Sequence, residues 1–203
     1  AFIYIGNRYH AEKIVREMVA FANTNGGRVF VGIDDDGSIA GLKFAEEEKY
    51  IIDKAIDDHS YPTLRYRSHI VDVSNKRSVL IYTVFENKRK PIYYLHDTRR
   101  KGKPYLRVQD RSIQASREMK EILKGQSRRT GRMLQYGEKE QKLMEYLQHN
   151  DFITVREFSN IAGIPMRVAS RTLVLLVLTN VLDVRASEKE DHFLMKTVTS
   201  DKL

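Results

Sequence analysis

The sequence predicts an α+β fold: a mixed α/β sandwich domain, then a small domain of three helices and two strands. Three observations carry this reading. Residues 11–22 (AEKIVREMVAFA) show a helical period and run through NTNGG straight into the strand-like RVFVGI. Residues 125–137 (GQSRRTGRMLQYG) break the composition and lose all periodicity, as a linker does. Residues 138–203 then alternate helical runs with turn signals and end in two short apolar runs around a charged tip. The expected domains are therefore 1–124 and 138–203, joined by 125–137.

The elements follow in order. Ile14, Val15, Met18, Val19 and Ala22 lie on one face of the first helix. Asn23, Gly26 and Gly27 stop it, because Asn and Gly tolerate left-handed backbone. Val29, Phe30, Val31 and Ile33 are dense enough for a buried strand. Gly32 allows close backbone packing, DDDG with Gly37 forms a tight turn, and SIAGL reads as a returning strand. Asn23 and Arg28 are expected near a ligand. Residues 45–58 predict a second helix with Tyr50, Ile51, Ile52 and Ile56 inward. YPTLRYRSHIVDV and SVLIYTVFE predict a hairpin, PIYYLHD and PYLRV two further strands, and residues 116–123 a short helix.

In the second domain, EKEQKLMEYLQHN is an amphipathic helix with Leu143, Met144 and Leu147 inward. Thr154 caps the next helix, with Glu157 three residues later as a capping box. Gly163-Ile164-Pro165 turns into a third helix, and VLDVRASEKEDHFLMKTV reads as two strands. Three helices and a hairpin make a winged helix-turn-helix. Arg167, Ser170 and Arg171 open its third helix, where such domains face the major groove. The domain is nearly neutral and its tip acidic, so dimerisation or packing within the chain is the alternative role.

Composition bounds the function. Hydrophobic residues make up 41% of 203, enough for a real core. There is no cysteine, which removes disulfides and thiolate zinc sites and fits a cytoplasmic home. No secretory signal pattern opens the sequence, and the longest apolar run is too short for a bilayer. Net charge is +8, an indication of an anionic partner. Residues 1–124 hold 23 Lys and Arg against 17 Asp and Glu, while 138–203 hold 9 against 10. Residues 88–111 carry nine cations against two aspartates: Lys88, Arg89, Lys90, Arg99, Arg100, Lys101, Lys103, Arg107 and Arg111. Such a cluster repels itself unless an anion offsets it, so these side chains are expected to contact phosphates. Tyr93, Tyr94 and Tyr105, interleaved, are expected in the core rather than on bases.

No Walker string and no dinucleotide fingerprint occurs, so ATP hydrolysis is not expected. Asp34, Asp35 and Asp36 point in different directions from one turn, so a solvated hairpin tip is expected rather than a metal site. The six histidines are scattered, with no helical zinc pair. No cofactor, metal or membrane partner is expected.

Residues 17–42, EMVAFANTNGGRVFVGIDDDGSIAGL, with KPIYYL and GKPYLRVQDRSIQAS further on, closely resemble the Schlafen/AlbA-like domain, often labelled DNA-binding or divergent ATP-binding. The resemblance covers about residues 10–124. It implies a nucleic-acid-binding regulator, as bacterial members look to be, often with a winged helix following. It also implies an alternative, a metal-dependent endoribonuclease. There two glutamates on a strand before the first helix join an aspartate, at Asp34 or Asp35 here, and residues 1–10 hold no acid. The reading is thus a non-catalytic bacterial transcriptional regulator that binds nucleic acid, DNA before RNA. A protein-interaction module, as a homodimer, is the third possibility.

Overall fold

The structure is a computed structural model that describes residues 1–6, 10–74, 76–96, 102–127 and 136–196. The chain divides into two compact units, Ala1–Gln114 and Ala115–Leu203.

The first unit opens with strand β1 (Phe2–Ile5), helix α1 (Ala11–Asn23) and strand β2 (Gly27–Val31). β1 and β2 run parallel, Phe2 opposite Arg28 and Tyr4 opposite Phe30. Helix α2 (Ala45–His59), the short β3 (Ser60–Tyr61) and the hairpin β4 (Tyr66–Ser74) and β5 (Arg77–Val84) follow. The sheet order is β1-β2-β5-β4. Strand period places alternate side chains on opposite faces. Val29, Val31, Leu80, Tyr82 and Val84 face inward, buried with Ile14, Val15, Met18 and Val19 of α1 and Ile52 and Ile56 of α2. Each such apolar side chain contributes roughly 1.5–3 kcal/mol when fully buried. Strands β6 (Tyr93–Leu95) and β7 (Gly102–Lys103) join β3 in a second sheet, and β8 (Tyr105–Val108) pairs with β9 (Arg111–Gln114). Helix α1 packs against α2 and β8.

Two local expectations fail here. SIAGL forms no strand, only a single bridge between Leu42 and Ser78. Both edges of β2 are already taken, by β1 and β5, so no ladder remains for a returning strand. Tyr50 and Ile51 are 70% and 51% exposed. Only the narrow stripe of α2 through Ile52 and Ile56 faces the sheet, and the helical step of about 100° per residue carries its neighbours away.

The second unit holds α3 (Arg117–Gln126), α4 (Glu138–His149), α5 (Val155–Ala162), α6 (Met166–Leu178) and the antiparallel pair β10 (Leu182–Arg185) and β11 (His192–Met195). The division falls before α3, whereas the sequence reading ends the first domain at residue 124. Buried Met119, Ile122 and Leu123 explain this, because α3 packs on α6. The expected linker lies largely outside the described residues. Ser116 caps α3 by accepting from the Met119 amide at 2.9 Å. The Thr154 hydroxyl accepts from the Glu157 amide while the Glu157 carboxylate accepts from the Thr154 amide, so the capping box is reciprocal. Leu143, Leu147, Ile153, Phe158, Leu173, Leu176 and Phe193 form the core, and Ile153 bridges Phe193 beside the β10–β11 pair. Met144 is only partly buried. Among the described residues, no single helix is long and apolar enough to cross a membrane.

Candidate nucleic-acid interface

The NTNGG turn proves to be structural. Asn23 is 2% exposed. Its amide donates to the carbonyls of Ile92 (2.8 Å) and Tyr105 (2.9 Å), and its oxygen accepts from the Ile92 amide (2.7 Å). Thr24 donates to the Ala20 carbonyl and accepts from the Arg107 amide. Together they tie the end of α1 to the segments around β6 and β8. Gly26 has φ +72°, and a Cβ there would meet the Val84 carbonyl at 2.7 Å; one at Gly27 would meet the Phe21 ring at 2.7 Å. The expectation that Asn23 faces a ligand is therefore corrected: burial and three backbone partners occupy it fully.

The DDDG segment forms the expected tight turn, though not a hairpin, since α2 rather than a strand follows it. The Asp34 amide donates to the Ser38 carbonyl, the Gly37 amide donates to Asp34, and Gly32 and Gly37 take positive φ. Hydrogen bonds from the Ser38 side chain and amide hold the Asp36 carboxyl below its usual range. The residues present do not fit a divalent metal of the nuclease kind. β1, the strand before α1, carries Phe2, Ile3, Tyr4 and Ile5 and no carboxylate, and the Asp34 side chain lies against Gly6. Among the described residues, no three Asp, Glu or His side chains converge.

The basic cluster divides. Arg107 is drawn into the fold: it donates to Glu17 Oε2 at 2.9 Å, and its guanidinium lies 5.4 Å from the Phe21 ring centre. Lys90 is 11% exposed, donating to Glu86 at 2.6 Å and to the Thr24 carbonyl. Neither reaches outward as expected. Lys88, Arg89, Lys103 and Arg111 are exposed, as is Arg28 on β2. Arg99, Arg100 and Lys101 lie outside the described residues. Tyr94 is buried, and Tyr105 packs against the core with Arg16 over its ring. These tyrosines are core residues.

In the second unit, α5 ends at Gly163 in the left-handed region, and the chain bends by 113° into α6. Arg167 and Arg171 are exposed and stand one turn apart on one face of α6. Ser170 does not join them. It is 9% exposed and its hydroxyl donates to Glu118 of α3, so it does not reach outward as expected. Arg171 also lines an open groove of mixed charge with Arg117, Lys139, Glu121, Glu140 and the edge of Ser170, and Lys139 pairs with Glu140 at 3.0 Å. The tip between β10 and β11 carries Glu188 and Glu190, and Glu190 pairs with Arg156 at 3.1 Å.

One surface has no counterpart among the expectations from sequence. The face of the first sheet turned away from α1 and α2 presents Phe2, Tyr4, Arg28, Phe30, Arg67 and His69. RVFVGI reads as a buried strand, yet of β2 only Val29 and Val31 are buried. The signal was the alternation Phe2/Tyr4, Arg28/Phe30 and Arg67/His69, which carries aromatic and basic groups on one side of each strand.

No curated protein matches the chain. Among solved structures it is similar to the DIP2311 protein from Corynebacterium diphtheriae, at 19% identity and TM-score 0.42 over 60% of this chain. The match spans only 23% of that protein's length. The family model described as Schlafen, AlbA_2 matches residues 4–116, more than half of the chain, and the chain belongs to that family.

Proposed function

We propose that the chain is a non-catalytic nucleic-acid-binding protein with a regulatory role, and that its second unit is a winged helix-turn-helix directed at duplex DNA. The observation that carries this is the α5–α6 corner. Its 113° bend at a left-handed glycine, with Arg167 and Arg171 on the exposed face of α6, fits a helix that enters a major groove. The exposed cations of the first unit, Arg28, Arg89, Lys103 and Arg111, support phosphate contact there. The family is commonly nucleic-acid related, which favours the same partner. A second reading has its own observation. Ile161, Met166 and Val168 are 36%, 50% and 39% exposed around the same corner, an apolar surface that fits a second copy of this chain.

The test is anisotropy of labelled duplex DNA with the wild type and with Arg167→Ala/Arg171→Ala. The double variant should bind more weakly, and its salt slope should shrink by about 0.9 for each phosphate it no longer neutralises. Unchanged binding, with a dimer in sedimentation that Met166→Ser dissociates, would favour the interaction module. Cleavage of the nucleic acid in Mg²⁺ that Asp34→Ala abolishes would replace both with the nuclease reading.

A further inference from the structure

We infer that the open face of the β1-β2-β5-β4 sheet is a second nucleic-acid site, one that stacks unpaired bases. It lies in the first unit and does not depend on α6. The strand register builds two rows across all four strands. Phe2, Arg28, Thr83 and Arg67 form one; Tyr4, Phe30, Ile81 and His69 form the other. Adjacent strands stand about 4.8 Å apart, so Arg28 and Arg67, either side of Thr83, are separated by about 10 Å.

The rings of Phe2, Tyr4 and Phe30 form a cluster, with centres 5.2 Å (Phe2–Tyr4), 5.7 Å (Tyr4–Phe30) and 6.4 Å (Phe2–Phe30) apart. Phe2 remains 59% exposed, and Arg28, Arg67 and His69 are exposed too. The Arg67 guanidinium lies 5.7 Å from the ring centre of Phe85, itself 37% exposed. A shallow concavity of about 390 Å³ opens beside Arg28, between Phe2, Phe30 and the turn at Asn25. None of the eight row positions is acidic.

Charge decides the occupant. Two copies of this face would bring arginine against arginine with no carboxylate between them, so a second copy is disfavoured. An anionic partner with flat apolar faces satisfies both halves of the surface: bases stack on the rings, and the backbone phosphates lie along Arg28 and Arg67. The bases must be unpaired, because a duplex hides their faces within its own stack and a broad sheet face cannot enter a groove about 12 Å wide.

The experiment titrates a fluorescein-labelled 15-nucleotide oligo(dT) and its oligo(U) counterpart against the full chain, beside a labelled duplex. The variants are Phe2→Ala, whose exposed side chain spares the core, and Arg28→Ala/Arg67→Ala. Circular dichroism checks that each is folded. Phe2→Ala should weaken single-strand binding about 5- to 150-fold, the range for one stacked base. Arg28→Ala/Arg67→Ala should lower the salt slope by about 0.7 for each phosphate released. Duplex binding through α6 should survive in Phe2→Ala, and single-strand binding should survive in Arg167→Ala/Arg171→Ala. The inference is overturned if both sheet variants bind oligo(dT) and oligo(U) as the wild type does. It is overturned equally if the wild type sediments as a dimer that Phe2→Ala dissociates.

Discussion

Replacing Asn23 with alanine removes a clamp of three hydrogen bonds. The Ile92 and Tyr105 carbonyls lose their amide donor and the Ile92 amide loses its acceptor, at original distances of 2.8, 2.9 and 2.7 Å. Ile92 is fully buried, so its two groups have no water to turn to; Tyr105 is only partly buried. A buried polar group left unpaired costs about 1–3 kcal/mol, so the two full losses at Ile92 come to about 2–6 kcal/mol, with a smaller addition from Tyr105. Urea unfolding of the first unit, followed by tyrosine fluorescence, reads this as a lower midpoint at unchanged m. Amide exchange at Ile92 should accelerate in parallel. Asn23→Asp should also destabilise, because it keeps the acceptor but turns a carboxylate oxygen towards two carbonyls. A loss below about 1 kcal/mol in Asn23→Ala, with Ile92 still protected, would refute the clamp.

Other consequences follow from single side chains. Gly27→Ala sets a methyl group 2.7 Å from the Phe21 ring, and overpacking of this kind costs about 1–3 kcal/mol in a urea melt. Thr154→Ala opens the capping box of α5 and should cost about 1 kcal/mol, with the effect confined to the second unit. Burial, and then the charge of Asp53, push the Tyr66 phenol up to about 12. The folded chain therefore keeps a proton that the unfolded chain gives up near pH 10. Its stabilisation is full below pH 10 and drains away as pH rises towards 12. Tyr66→Phe should show a flatter stability profile between pH 10 and 12, and an equal slope in the two proteins counts against this account.

Local signals were legible and long-range ones were not. The stripe of α1, the cap at Thr154 and the glycine turn at 163 are written in residues three or four apart, and each appears where expected. The inward place of Arg107 is not legible locally, because its partner Glu17 lies 90 residues away in sequence. Without that partner Arg107 counts as one more cation in a cluster. Ser170 likewise meets Glu118 across 52 residues. The open sheet face was hidden for a related reason. A run such as RVFV reads simply as a buried strand, and the fold alone shows that α1 and α2 cover only one of its faces. Asn23 carries the same lesson in reverse: an Asn before glycines signals a helix end, but its buried tie to Ile92 and Tyr105 depends on the tertiary fold.

The central claim is that this chain holds nucleic acid through phosphate contacts. Its most direct test is the affinity of the wild-type chain for one labelled duplex across a salt series from about 50 to 200 mM. Log affinity should fall linearly with log salt at a slope of several units, as counterions are released by bound cations. A flat line, or no binding at the lowest salt, would contradict it.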